Sequence, residues 1–298
     1  MITELRNLPA PAKLNLFLHV TGRREDGYHL LETVFELIDL EDRVHLRLRS
    51  DGVISREDPL PGVPAEDDLT VRAARLLAVH CGCRLGVDIS LTKRIPIGGG
   101  LGGGSSDAAS VLLGLNRLWS LALDRAQLAS LGLKLGADVP FFVFGETAYA
   151  TGVGEELIAC PQPERHYLLI APGVAIPTPR VFTDPGLTRD TKPLKIDGLL
   201  QGRSVFCGRN DLEPVVTGFS TQVSDALAVL RDTAIRLEID PDLARMSGSG
   251  SSVFLPVPKD RVDSAVQLAR SLARLRENAT VHVVRSVAKH PLRDWAFA

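Results

Sequence analysis

The stretch from Ile97 to Asp107 restricts what this chain can become more than any other. It reads Ile97-Gly98-Gly99-Gly100-Leu101-Gly102-Gly103-Gly104-Ser105-Ser106-Asp107, and six of the seven residues from Gly98 to Gly104 are glycine. A helical pattern starts straight afterwards: Ala108, Ala109, Val111, Leu112, Leu115 and Leu118 recur at helical spacing, with Ser105, Ser106 or Asp107 placed to cap it. Backbone without Cβ atoms turns through positive φ and approaches a bulky anion closely. The start of a helix adds unpaired N–H groups and a partial positive charge aimed at the same place. A bend of this composition between a strand and an apolar helix reads as a phosphate cradle rather than a flexible linker.

Better-known glycine motifs fit poorly. A P-loop ends in Gly-Lys-Ser/Thr, and no lysine follows Gly104. Gly98, Gly100 and Gly103 satisfy G-x-G-x-x-G, but in so glycine-rich a run that match says little. The preceding segment, Val87 to Lys93, alternates like a half-buried antiparallel strand, unlike the buried strand of a dinucleotide fold. Without His-Arg-Asp or Asp-Phe-Gly the chain is no protein kinase, and without G-x-S-x-G no α/β-hydrolase elbow. His-Glu-x-x-His is missing too.

A chain of 298 residues, 45% apolar, suits one large packed domain or, better, two. Its net charge of -2 gives no electrostatic case for nucleic acid or an anionic membrane. Cys81, Cys83, Cys160 and Cys207 form no Cys-x-x-Cys, so reduced thiols are expected rather than a zinc site or disulfide framework. The first seven residues lack the apolar region of a signal peptide, and no apolar run spans a bilayer. A cytoplasmic protein is expected.

Along the chain, Lys13 to Val20 reads as a strand with Leu14, Leu16, Leu18 and Val20 on one face and Lys13, Asn15, Phe17 and His19 on the other. On pattern alone Lys13 would be a solvated edge charge. A polar turn at 22–27 leads to Tyr28-His29, and 33–40 and 44–48 read as two further strands. Residues 50–66 read as a loop, and a helix opens at Asp68 and runs to about Cys81, with His80 on its apolar side. Helices are expected near 106–119 and 124–134, then the tight turn Gly136-Ala137-Asp138-Val139-Pro140 before Phe141-Phe142-Val143-Phe144. A composition shift at Cys160-Pro161-Gln162-Pro163 suggests a domain boundary, dividing the chain into 1–160 and 161–298. The second half reads as strand 166–171, a Pro-started helix over 176–182, an amphipathic helix near 220–236 and the turn Met246-Ser247-Gly248-Ser249-Gly250-Ser251. Strand 253–257, helix 260–275 and strand 280–287 follow, an α+β order. Read from the residues alone, two glycine turns, a strand lysine and a turn aspartate support phosphate binding and are compatible with phosphoryl transfer, with the acceptor undetermined.

Taken together, Pro11-Ala12-Lys13-Leu14-Asn15-Leu16, the loop Pro96 to Ala109, and Gly248-Ser249-Gly250 resemble the three motifs of the GHMP kinase superfamily. Four further stretches resemble the branch that phosphorylates 4-diphosphocytidyl-2-C-methyl-D-erythritol in the non-mevalonate isoprenoid pathway. They are Gly27-Tyr28-His29, Leu135 to Pro140, Ile176-Pro177-Thr178-Pro179 and Asn210-Asp211-Leu212-Glu213. The resemblance runs over nearly the whole chain. It implies a two-domain α+β fold: an N-terminal ATP-binding domain like ribosomal protein S5 domain 2, then a ferredoxin-like substrate domain.

It also implies ATP as co-substrate with Mg²⁺ and a small-molecule acceptor; the sequence shows no dedicated carboxylate cage, so no protein ligand is named for the metal. The ATP site would be Pro96, Ile97, Gly98, Gly99, Gly100, Leu101, Gly102, Gly103, Gly104, Ser105 and Ser106. Asp138 would take the proton of the acceptor hydroxyl, with Lys13 stabilising the developing alkoxide and the transferring phosphoryl group. Tyr28 and Phe182 would sandwich the cytosine, and His29 would read its polar edge. Asn15 and Thr178 would touch the sugar-alcohol or diphosphate part, and Gly248 and Ser249 would support the phosphate side. Asp68 stands where the family commonly has Asn near the adenine, and Asp lacks amide donors, so no adenine contact is carried over to it. Competing expectations are a related kinase acting on mevalonate, homoserine or a sugar, a nucleotide-binding regulator without catalysis, and a Rossmann dehydrogenase.

Overall fold

The computed structural model describes residues 2–58, 63–194, 206, 208–271 and 277–297, so Cys207 lies outside the described residues. Its frame is a pair of long antiparallel strands, β1 (Glu4–Arg23) and β2 (His29–Arg49). β2 is one strand where two are expected. The gap between the two expected strands is bridged: the register jumps from Pro11↔Glu41 to Ala12↔Ile38, a bulge at Asp39 and Leu40 that lets the ladder continue. Asp42, paired with Ala10 beside that bulge, is fully buried and accepts from the backbone N–H of Ile95 at 2.9 Å. A second register shift, between Asn15 and Leu18, breaks the expected alternation of β1. Phe17 joins the buried cluster of Leu14 and Leu16, while Leu18 and Val20 enter a different one.

β2 also carries β4 (Gly86–Thr92) and β5 (Ala148–Thr151), the latter paired in turn with β6 (Glu156–Ala159). The short β3 (Ile54–Arg56), inside the expected loop 50–66, runs parallel to β4. On the other side, β7 (His166–Ala171) pairs with β9 (Val253–Val257) and β10 (Thr280–Val287), with β8 (Arg245–Met246) on the edge. β10 reaches β2 through Ser286↔Ile38 and Val287↔Leu37, so the strands join in order β3-β4-β2-β10-β7-β9-β8.

Helices cover this sheet. α1 (Leu69–Cys81) starts at Asp68, whose side chain accepts from the N–H of Thr70. His80, expected on its apolar side, is exposed. α2 spans Gly103–Leu118 and is capped by Gly102 at φ 71°, not by Ser105, Ser106 or Asp107, which lie within its first turns. Its apolar face, including Ala108, Val111, Leu112 and Leu115, is buried against β1 and β2. Truncating Leu112 to Ala would cost roughly 2–5 kcal/mol. α3 (Arg125–Leu133) opens with a complete capping box between Asp124 and Gln127. The apolar run after the 136–140 turn is a short helix, α4 (Val139–Phe144).

The later elements are α5 (Thr178–Thr183), α6 (Glu213–Phe219), α7 (Thr221–Arg236) and α8 (Val262–Ser271); of the expected helix 260–275, residues 272–275 lie outside the described residues. α7 and α8 pack over β7, β9 and β10. No described helix is long and apolar enough to cross a membrane.

Candidate active site

Three chain segments far apart in sequence meet at one point. The Lys13 backbone N–H donates to Leu101 O at 3.0 Å, and Ser252 N–H donates to Gly99 O at 3.0 Å. Ser247 Oγ bridges the other two segments, donating to Gly100 O and accepting from Asn15 N–H, each at 3.2 Å. β1, the glycine loop and the second Gly/Ser turn are thus sewn together by main-chain bonds. Gly100 is needed for the approach: at φ +73°, a Cβ there would lie 2.3 Å from Ser247 O.

Lys13 stands at this junction. The covering loops make it a buried ammonium, 3% exposed, instead of the edge charge that strand pattern alone suggests. Its Nζ donates to Asn15 Oδ1 and, at 3.1 Å, to Gly100 O, and lies 5.3 Å from the centre of the Phe35 ring. Asp138 Oδ2 is 3.5 Å from the same nitrogen. Asp138 occupies the N-cap position of α4 yet makes no side-chain capping bond, unlike Asp68 and Asp124, whose carboxylates are occupied by their own helices. Its side chain is one-third exposed, so the carboxylate faces both Lys13 and the open cleft. A charged pair beside a row of backbone amides can accept a proton at one oxygen and stabilise growing negative charge at the nitrogen.

The cleft measures ≈ 940 Å³. Pro96 through Ser105 line it, and so do Lys13, Asn15, Tyr28, His29, Asp138, Thr178, Phe182 and Ser249. Two expected residues stand back. Ser106 is fully buried and its hydroxyl donates to Pro11 O at 2.7 Å, tying α2 to β1. Gly248 lies behind the junction, where a Cβ would come within 3.2 Å of Lys13 Nζ. Asn15 also differs from expectation in emphasis: its oxygen faces Lys13 and its amide donates to Thr33 Oγ1 at 3.0 Å, so it holds the lysine. Thr178 and Ser249 share a hydroxyl–hydroxyl bond of 2.8 Å across the cleft wall.

At the aromatic end, Tyr28 is 63% exposed, a ring face open to whatever enters. The His29 and Phe182 rings lie 4.9 Å apart, inclined by 31°. Burial, then the nearby Arg189 and Arg23, hold His29 below the ordinary histidine pKa, so it is neutral near pH 7.

Several residues here escape a reading of sequence. Lys93 lines the cleft and bonds Asp107 at 2.6 Å and the buried Asp42. Burial pushes the Asp107 carboxyl up, Lys93 pulls it back and the Asp42 charge raises it again, as for two carboxylates sharing one cation. Asn210 is 3% exposed and donates to Met246 O and Gly248 O at 2.8 and 2.7 Å, fixing the second glycine turn. Its place in Asn210-Asp211-Leu212-Glu213 is the one signal that could have found it. Arg189 has no sequence signal at all. Among the described residues no group of three or more His, Cys, Asp or Glu side chains could hold a metal ion.

Comparison with known proteins agrees with this geometry. Residues 68–146 match the GHMP kinases N terminal domain. The chain is 54% identical over 295 residues to 4-diphosphocytidyl-2-C-methyl-D-erythritol kinase of Ralstonia nicotianae, covering 99% of this chain and 98% of that protein. The kinase of the same name from Herminiimonas arsenicoxydans is 48% identical, with 98% of each chain covered. Among solved structures, a 4-(cytidine 5'-diphospho)-2C-methyl-D-erythritol kinase superposes with TM-score 0.72 at 35% identity, over 94% of this chain and 98% of that one. A homoserine kinase from Cytophaga hutchinsonii also reaches TM-score 0.72, over 97% of this chain and 96% of that one, but at 18% identity it speaks for the fold alone. With its α+β architecture and its three sewn loops, the chain belongs to the 4-diphosphocytidyl-2-C-methyl-D-erythritol kinase family and has the GHMP kinase fold.

Proposed function

We propose that this enzyme transfers the γ-phosphoryl group of ATP to the 2-hydroxyl of 4-diphosphocytidyl-2-C-methyl-D-erythritol, giving the 2-phosphate and ADP. The observation that carries the mechanism is the 3.5 Å separation of Lys13 Nζ from Asp138 Oδ2 beside the glycine loop. The triphosphate lies along the amides of 97–105, its terminal group toward that pair, with Pro96 lining the entry. Asp138 accepts the hydroxyl proton as the new O–P bond forms and the bond to the ADP oxygen breaks. Lys13 stabilises the equatorial oxygens in transit, and the remaining work is positioning. Asn15, Gly100 and Gly248 act by fixing Lys13 in place.

The cytosine enters beside Tyr28 and Phe182, with His29 at its polar edge, and Thr178 and Ser249 face the sugar-alcohol and diphosphate. Mg²⁺ accompanies the nucleotide and neutralises phosphate charge; with no three-ligand cluster among the described residues, no protein ligand is assigned and no step depends on it. Both substrates are water-soluble phosphate esters, which fits action in the cytoplasm. We divide the chain at 160/161 into an ATP half and a substrate half, with the base site drawing Tyr28 and His29 from the first and Phe182 from the second. Coupled ADP release across a panel of alcohols tests the assignment. The CDP-linked methylerythritol turns over and free mevalonate does not; equal turnover of both would overturn it.

A further inference from the structure

Arg189, in the loop after α5, is gripped in a way that aims its Nε–H at a single partner. Its Nη1 donates to Leu187 O at 3.0 Å, and its Nη2 donates to Phe182 O and Asp184 O at 2.9 and 2.8 Å. Three carbonyls therefore fix the plane of the guanidinium. Its Nε–H points at His29 Nε2, 3.1 Å away. A guanidinium donates only and keeps its protons, so Nε2 must be the bare nitrogen of that imidazole. The single ring proton of neutral His29 then sits on Nδ1, which has no hydrogen-bond partner among the described residues.

We infer that Arg189 is a positioning residue that locks His29 in its Nδ1–H tautomer, so that the ring stacked on Phe182 presents one fixed N–H donor to an acceptor on the substrate base. The inference rests on reading Tyr28, His29 and Phe182 as the cytosine site. Cytosine offers acceptors at ring N3 and at O2, and only its amino group donates. A fixed N–H donor matches the acceptor side, whereas the other tautomer would set one lone pair against another. A histidine lacking such a partner carries its proton on either nitrogen.

Other charged groups near the ring do not supply the lock. Arg23, at the end of β1, lines the same cleft, but its Nε donates to Gly27 O. Asp26, in the following turn, is engaged by the Tyr28 N–H and by Arg24. Asp184, closing α5, accepts from the Gly186 N–H. The Arg189 contact alone defines which nitrogen is bare.

The test is Arg189→Met, followed by KM and kcat for both substrates between pH 5.5 and 8.5, with ¹⁵N NMR of the histidine rings. At pH 8 the KM for the CDP-linked methylerythritol rises by about tenfold while kcat and the KM for ATP stay near the parent values. The loss shrinks as pH falls below the ordinary histidine range, since burial and Arg23 still hold the ring's pKa down without Arg189, and a doubly protonated ring again offers Nδ1–H. The parent KM stays flat over that range. A merely structural arginine would raise KM equally at every pH, and that result, or no rise at all, overturns the inference. If the variant fails to fold, the parent decides: Nδ1-protonated His29 near pH 7 is expected, and an Nε2-protonated ring overturns it. CDP as an inhibitor separates the two levels. A parent that CDP does not compete with refutes the cytosine site itself, whereas competition by CDP with a failed Arg189 test refutes only the tautomer lock.

Discussion

Gly100→Ala is a sharp perturbation of the junction between the two glycine turns. Gly100 holds φ +73°, and a Cβ there would lie 2.3 Å from Ser247 O and 2.9 Å from both N and O of Gly250. Ordinary contact begins near 3.4 Å, so the loops must part by about 1 Å. The left-handed backbone adds roughly 1–2 kcal/mol of strain. Gly100 O accepts from Lys13 Nζ at 3.1 Å and from Ser247 Oγ at 3.2 Å, so the displacement reaches the Lys13 ammonium directly. Misplacement on this scale costs on the order of a hundredfold in rate. The strain itself lowers the melting temperature by about 2–4 °C per kcal/mol.

Gly82→Ala is the matched control. It has φ +61° at the end of α1 with nothing within 4 Å of the added carbon, so it carries the strain without the clash. Coupled ADP release and thermal melting on both variants give the comparison. The expected result is two mildly destabilised proteins, of which only Gly100→Ala loses kcat. A folded Gly100→Ala enzyme with parental kcat would refute the claim that the loop-to-turn contact places Lys13.

Two other outcomes follow from buried polar groups. Asn210→Ala removes both donors that hold Met246 O and Gly248 O, and should cost about 2–3 kcal/mol in urea unfolding with a rise in substrate KM; unchanged stability would show that turn holds itself. Burial raises the Glu36 pKa to about 7, against the opposing pull of the Tyr167 hydroxyl and Arg165. Its folded pKa lies above the ordinary 4.5, so the native state is favoured while Glu36 is protonated and loses stability as pH rises from 4.5 to about 7. Glu36→Gln should flatten that loss, by about 3 kcal/mol at most, when denaturation at pH 5 and pH 8 is compared; identical pH slopes would contradict it.

What could be read in the sequence was whatever local pattern alone determines. The glycine run announced its backbone before any coordinates, and helices such as 69–81 and 221–236 carried clear caps and apolar faces. The bulges in β1 and β2 were illegible because they depend on pairing. Nothing near Glu41-Asp42 says that Ile95 and Lys93 will arrive to bury Asp42, so the strand was read as two. The β5–β6 hairpin lacks the alternation that marks a strand pair, and the N-cap of α2 moved to Gly102 because the polar residues after it serve the tertiary structure, Ser106 on Pro11 and Asp107 on Lys93. In the site, Lys13 and Asp138 were ambiguous singly, since a strand lysine and a turn aspartate are ordinary. Only their place in the resembling stretches, Lys13 in Pro11–Leu16 and Asp138 in Leu135–Pro140, separated them from structural residues. Arg189 was invisible, because its partners are mostly carbonyls whose direction no residue type reveals.

The central claim is that the carboxylate facing Lys13 takes the proton of the acceptor hydroxyl. Single-turnover phosphoryl transfer by Asp138→Ala, measured alongside nucleotide affinity, tests it most directly. Affinity for ATP should stay within a few-fold of the parent while the transfer rate falls by roughly a hundredfold or more. Transfer at the parental rate with ATP still bound would contradict the account and place the base elsewhere.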